Sequence, residues 1–442
     1  MPVSRKRRKP GKPGKAVGQG PRSLPPGLPE LRFPEPENPA RELLELFSAM
    51  KGDKRHPLDD QRVASAKPMM TRLVSELVAD ADADGLPGTD LEDALCERWG
   101  PLLFAAENRD VAEGFFGPTH AMEALIKAAA AAVRDLPAGP VESTGAWRVF
   151  TTVAGVAPET HREQLKAELR DLRKRRRPPV PALPAGPVLA GDVLWARDRY
   201  GSRIGVIAPF ATAGEPRWYL WDLDGCGKQV FAVHSGYHAT PADALTEWRR
   251  GVGDAAAGDA QWSAIDDPAT LDDVLPRREG LFRMGGEPAA QFAEYHRGRR
   301  LAELVRARHR RPEPAVPGLD SDTAAEEFAA WLRVRRPDIP VDGLAEKARE
   351  LADSWRTEAS SLYATFSAHR VALNVAHMRN FYTEDYVAEL VALQPDWITW
   401  LGERAGADIG LVERSLAYAG GAPYPGIVMT GPDADYHARV IE

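Results

Sequence analysis

The residues best suited to chemistry lie mid-chain, where Trp218 to Gly227 reads WYLWDLDGCG. An apolar run ends there in two carboxylates, Asp222 and Asp224, with Gly225 directly after them. Asp-Gly between apolar segments supplies the positive-φ positions of a tight turn, so the plain expectation is a hairpin with antiparallel strands on either side. A calcium loop counted from Asp222 fails, because its twelfth position is Val233 and not Glu. His234 and His238 have an H-x-x-x-H spacing, but on one strand they would stand about 13 Å apart, too far for one ion unless Gly236 turns the chain. His369 and His377 fall two turns apart on an apolar helical stripe near Asn374, Asn380 and Tyr382, about 12 Å along the axis. Histidines so placed are expected to be core residues with a hydrogen bond, not metal ligands or catalytic groups. No cofactor and no metal site is expected.

The segment WYLWDLDG resembles the phosphate-transfer motif of haloacid-dehalogenase-like hydrolases. That resemblance implies a metal-dependent phosphate-ester hydrolase, with Asp222 as nucleophile, Asp224 as general acid and magnesium beside them. The segment differs from the family pattern in lying mid-chain, in lacking the hydroxyl and apolar residues expected after the glycine, and in preceding another strand where a helix should follow. Nearby, Trp195, Trp218, Tyr219 and Trp221 with Arg197, Arg199, Tyr200 and Arg203 have the composition of a sheet on which bases stack. Trp218 and Trp221, at odd spacing, must face opposite sides of a strand, which favours core packing over such a platform.

These residues need a scaffold, and the chain punctuates itself clearly. Short runs rich in Val, Ile, Trp, Tyr and Phe at Asp192–Arg197, Arg203–Phe210, Arg217–Leu223 and Gln229–Ser235 predict an antiparallel meander. A helix follows, with Thr240 as N-cap, Pro241 in first position, Asp243 closing a capping box, and Leu245 and Trp248 facing inward. Before the meander, helices are expected from Asn38, over Met69–Val78, Asp90–Glu107, Thr119–Leu136 and Ala146–Val153, and from Pro158 into the cations Arg173 to Arg177, which suit the helix dipole and then enter solvent. The proline-rich stretch 178–187 reads as a linker. Beyond the meander, Asp266–Arg278 reads as a polar loop with at most one short helix, Pro288–Arg311 as a helix, and Pro312–Pro317 as a second linker.

From Asp322 the pattern is wholly helical, with Thr383 and Asp408 as caps. Gly343–Arg379 contains no internal proline or glycine, and a single helix there would exceed about 50 Å. Its apolar stripe runs Leu344, Ala348, Leu351, Trp355, Ala359, Leu362, Phe366, His369, Leu373, His377. The expected fold is α+β and mainly helical, with helical N- and C-terminal domains flanking a small antiparallel β-meander and its covering helices. The boundaries are 1–37 basic tail, 38–177 helical domain, 178–187 linker, 188–311 meander with helices, 312–320 linker and 321–442 helical domain.

Composition narrows the function classes. Arg5, Lys6, Arg7, Arg8, Lys9, Lys12, Lys15 and Arg22 precede the first acid, Glu30, although the whole chain carries −7. Gly and Pro interleave with these cations, so the segment is expected to be disordered and to contact nucleic acid or another polyanion. The two cysteines, Cys96 and Cys226, are too far apart in sequence for a zinc ribbon or redox dithiol. No run approaches the length of a membrane span, and the opening lacks the apolar core of a secretory signal, so a cytoplasmic protein without membrane contact is expected. Walker, Rossmann, nucleophile-elbow, HExxH and kinase signatures are absent.

Three stretches, GDVLWARDRYGSRIGVIAPF, RWYLWDLDGCG with HSGYH, and LQPDWITWLGERAG, resemble an uncharacterised protein family of high-GC actinobacterial genomes, as does the opening SRKRRK. Arg217–Arg250 is also similar in outline to the small domain of HicB-type antitoxins, where a meander precedes a capped helix. Neither likeness brings an activity or a site. The function expected is that of a non-enzymatic binding or scaffold protein with a polyanion-contacting tail, with the hydrolase of Asp222 and Asp224 as the alternative.

Overall fold

The computed structural model describes residues 58–84, 88–107, 116–177, 179–211, 216–265, 269–276, 290–309, 319–340, 343–357 and 359–424. The basic tail, the helix expected from Asn38, the Pro312–Pro317 linker and everything from residue 425 lie outside them. The described chain is α+β and mainly helical, around one open antiparallel sheet. None of its helices is long and apolar enough to cross a membrane.

Five helices build the first part: α1 (Asp59–Asp84), α2 (Gly88–Glu107), α3 (Pro118–Arg134), α4 (Gly145–Val156) and α5 (Arg162–Arg175). α1 begins ten residues before the expected Met69, with Pro68 inside it. Val63, Ala66, Met70, Leu73, Val74 and Leu77 form one buried stripe across the proline, so burial outweighs the lost backbone hydrogen bond. The arginine block after α5 does not simply enter solvent. Arg176 is buried and donates to the carbonyls of Val133 (2.9 Å), Leu136 (2.8 Å) and Pro137 (2.7 Å), supplying partners to the C-terminal end of α3 that no backbone amide reaches.

The sheet comprises β1 (Val188–Leu189), β2 (Leu194–Arg197), β3 (Arg203–Ala211), β4 (Arg217–Asp224), β5 (Phe231–His238) and β6 (Ser263–Ala264). Its order is β5-β4-β3-β2-β6, with β1 on the far end of β3, and every pairing is antiparallel. Alternation divides it into two faces. Ile204, Val206, Ala208, Tyr219, Trp221 and Leu223 pack against α8 (Ala269–Val274) and α10 (Tyr295–His309), which follows the short α9 (Ala290–Ala293). On the other face, Ala196, Ile207 and Leu220 meet α6 (Pro241–Val252) and the short α7 (Asp254–Ala257). That second core continues without interruption into the C-terminal helices.

The capping box of α6 forms as expected, with Thr240 Oγ1 accepting from the Asp243 amide and Asp243 Oδ2 accepting from the Thr240 amide, both at 3.2 Å. At the start of β4, Arg217 reaches Asp93 of α2 (2.9 Å), and the buried Arg297 of α10 pairs with Glu92, Asp93 and Glu294. These pairs tie the N-terminal helices to the sheet.

The C-terminal part consists of α11 (Ser321–Arg335), α12 (Leu344–Ser354), α13 (Ala368–Phe381), α14 (Glu384–Val391), α15 (Gln394–Ala405) and α16 (Ile409–Ala419). The single helix expected over Gly343–Arg379 is broken into α12, a 3-10 turn at Ser360–Leu362, and α13. Contacts that span the gap hold the break. Arg370 donates to the Trp355 carbonyl (2.7 Å), Trp355 Nε1 to the Thr365 carbonyl (3.2 Å), and Ser367 caps α13 by accepting the Arg370 amide (3.3 Å). Serine and threonine hydroxyls compete for backbone groups across the same stretch, with Ser354 on Leu351 and Thr365 on Leu362. The broken stripe then serves two cores, Trp355 and Phe366 on one face of the sheet and Ala359 and Leu362 on the other.

Candidate functional site

The Asp222–Asp224 segment occupies the end of β4, on the sheet face toward α6 and α13. In register, Arg203 of β3 stands opposite Asp224, and Gly205 opposite Asp222. Arg203, fully enclosed, grips Asp222 through two parallel hydrogen bonds, Nε to Oδ1 and Nη2 to Oδ2, each 2.8 Å. Its third nitrogen, Nη1, lies 3.6 Å from Asp224 Oδ2. The β2–β3 turn that delivers Arg203 uses Gly201 at φ 70° and is closed by Asp198, whose carboxylate accepts the amides of Ser202 (2.7 Å) and Arg203 (3.0 Å).

β4 and β5 pair antiparallel, as the Asp-Gly pattern implies, but not through a tight two-residue turn. Six residues, 225–230, connect the strands, and Gly225 has no positive φ. Glycine stands there because of a close approach: a Cβ would come within 2.2 Å of Leu362 Cδ1 and 3.2 Å of the Ser202 carbonyl. Asp224 shapes the connection by accepting the Cys226 amide at 2.8 Å, turning the thiol inward.

α13 brings the remaining groups. His369, on its first turn, places Nδ1 3.4 Å from Asp224 Oδ2, and Ser367 Oγ lies 3.2 Å from Cys226 Sγ. Arg370 donates to the Gly225 carbonyl at 2.9 Å, pinning the connection to the helix. One donor atom from each of Asp224, Cys226 and His369 lies within 4.8 Å of the others, and all three residues are buried. Among the described residues this is the one such group of metal-capable side chains.

Electrostatics restrict what the site can do. Burial alone would raise the Asp224 carboxyl, but His369 and then Arg203 outweigh it and hold the group below the ordinary carboxylate range. Burial, with Asp224 beside it, pushes the Cys226 thiol well up, so it is no thiolate nucleophile. A phosphate ester attacked by Asp222 would need a free carboxylate oxygen, and Arg203 engages both. Asp224 is equally enclosed, at 1% exposure.

The other sequence candidates are not gathered here. His234, opposite Asp222 on β5, lies 3.9 Å from Glu247, and His238 opposite Trp218 is half-buried, its basicity lowered by burial and then by His234. His377, on α13 with His369, rests against Phe381 with ring centroids 4.3 Å apart, and burial pushes its pKa down to about 4. Asn374 instead links α12 to α15, donating to Ser354 and accepting from Gln394. The aromatics form no open platform: Tyr219 and Trp221 are fully buried with ring centroids 4.8 Å apart, Tyr200 meets Phe366 edge-on, and Arg197 lies over Trp195. Arg5, Lys6, Arg7, Arg8, Lys9, Lys12 and Lys15 lie outside the described residues. Compared with protein-family models, curated proteins and solved structures, the chain matches none.

Cys226 and His369 are the residues that sequence reasoning missed as partners of Asp224. Cys226 was visible only as a cysteine without a close-spaced companion, and His369 lies 143 residues further along the chain.

Proposed function

We propose that the protein is a non-enzymatic binding protein of the cytoplasm, whose first segment contacts nucleic acid or a comparable polyanion. The observation that carries this reading is the segregation of charge: eight cations precede Glu30 with no intervening acid, in a chain whose net charge is −7. An acidic body repels a polyanion at long range, so affinity falls to Arg5, Lys6, Arg7, Arg8, Lys9, Lys12 and Lys15, acting together on successive phosphates. The enclosure of Asp222 and Asp224 by Arg203 supports a binding role over the hydrolase that their spacing resembles.

Binding of this kind releases condensed counterions, and each phosphate neutralised on duplex DNA adds about 0.9 to the salt slope. If about six cations engage, raising salt from about 50 to about 200 mM weakens binding by roughly 1,000-fold, with little dependence on sequence. The full-length protein and a form beginning at Pro39 are titrated against the same DNA and RNA at both salts. The full-length form is expected to bind with that steep slope and the shortened form to lose it. Equal affinity of the two forms, or no binding by either, overturns the reading.

A further inference from the structure

We propose that Asp224, Cys226 and His369 form a three-ligand site for a borderline divalent cation of the Zn²⁺ type. The cluster offers one carboxylate oxygen, one sulfur and one imidazole nitrogen, mutually within 4.8 Å, a mixed O/S/N set that suits zinc far better than the all-oxygen cations magnesium and calcium. Such a trio occupies three corners of a tetrahedron and leaves the fourth to a hydroxyl or water. The Ser367 hydroxyl, at the N-cap of α13 and 3.2 Å from Cys226 Sγ, is a protein group of that kind.

The surrounding groups set the ligands in place. Asp224 Oδ1 is occupied by the Cys226 amide at 2.8 Å, which leaves Oδ2 on the side of His369. Two arginines stand close and their charges lower the affinity the trio could otherwise reach. Arg203 is matched by its two-point pair with Asp222 but has Nη1 3.6 Å from Asp224 Oδ2, and the Arg370 guanidinium is held on the carbonyls of Gly225 and Trp355, directed away from the three ligand atoms. Binding converts the Cys226 thiol to a metal thiolate and releases its proton to solvent, so two anionic ligands balance the divalent charge in a buried setting. The ion would join the β4–β5 connection to the first turn of α13, elements far apart in sequence that also meet through Arg370. The site is enclosed, and residues 227–230 of the connection lie at or near the surface, so the ion enters when this stretch opens or as the chain folds.

The test uses the full-length chain, stripped with a chelator and titrated with Zn²⁺ and, separately, Co²⁺. One equivalent per chain is expected, with release of protons, a raised melting temperature and a thiolate-to-cobalt charge-transfer band. Cys226→Ser and His369→Gln should each weaken binding by more than the roughly 10- to 100-fold that losing an outer-shell partner costs, while His234→Ala leaves it unchanged. Binding that survives both substitutions, or no stoichiometric binding by the wild type, overturns the proposal. Should either variant fail to fold, the wild-type cobalt spectrum decides alone, because bound Co²⁺ without the thiolate band excludes Cys226 as a ligand.

Discussion

Asp222→Ala removes the partner that holds Arg203 by two 2.8 Å hydrogen bonds in a fully buried setting. Arg203 would lose its two charge-assisted hydrogen bonds and keep Asp224 at 3.6 Å, and an incompletely compensated charge in the interior costs about 3–5 kcal/mol. The charge is expected to remain, because a guanidinium titrates so far above neutrality that burial does not discharge it. A chain with several cores need not unfold in one step, so the appropriate assay is native-state hydrogen exchange of peptides covering β3 and β4. A cost of 3–5 kcal/mol corresponds to an opening equilibrium raised by about 10² to 10³-fold or more. Arg203→Met with Asp222→Leu removes one charge of each sign and should recover most of that loss, since apolar replacement of a buried pair is often neutral. A change below about 1 kcal/mol in Asp222→Ala would refute the reasoning. It would mean that the carboxylate is not committed to Arg203 and is available for chemistry.

Burial, and then the neighbouring His161, hold the His296 imidazole well below its usual range, where it stacks on Trp99 (4.5 Å between centroids) and meets Tyr295 edge-on. The unfolded chain takes up this proton first, so the contribution is full above about pH 6.5 and falls as pH drops, by about 2 kcal/mol at pH 5. His296→Phe should therefore lose about 2 kcal/mol less than the wild type between pH 7 and pH 5, read from native-state exchange of peptides covering α2 and α10. Parallel decline of the two would sink the assignment. Thr240→Ala opens the capping box of α6 and should raise exchange across residues 241–252 by the equivalent of about 1 kcal/mol, with Thr240→Ser near wild type. Unchanged exchange would show that the cap contributes nothing.

The legible parts of the fold were those governed by neighbours in sequence. The four principal strands, the Thr240 cap and the opposed faces of Trp218 and Trp221 rest on alternation or on contacts within a few residues, and each is in place. Errors arose where a distant group supplied the decisive contact. The helix expected from Met69 starts ten residues earlier because the stripe that carries α1 through Pro68 is stabilised by α3 and α4, which a local pattern does not weigh. Arg176 looked solvated because its acceptors are carbonyls some forty residues earlier, and a run of arginines gives no sign of which one turns inward. Gly225 is required for a reason that its neighbours in sequence do not carry, since Leu362, not a left-handed turn, excludes a side chain there.

The missed helix break and the missed cluster are one error. Read as a continuous helix, Gly343–Arg379 puts His369 on the same stripe as Trp355 and Leu362, facing whatever core receives them. In the folded chain the Trp355 carbonyl is taken by Arg370 and α13 restarts at Ser367, so His369 is redirected onto the end of β4. Arg370 also holds the Gly225 carbonyl, so the residue that ends one helix fixes the connection carrying Cys226. A buried arginine bridging two carbonyls is costly to desolvate, and burial pulls its pKa down to about 10. Its position is explained if the junction it builds is worth that cost. What the junction brings together is Asp224, Cys226 and His369, a set with no counterpart in the local sequence pattern of either element.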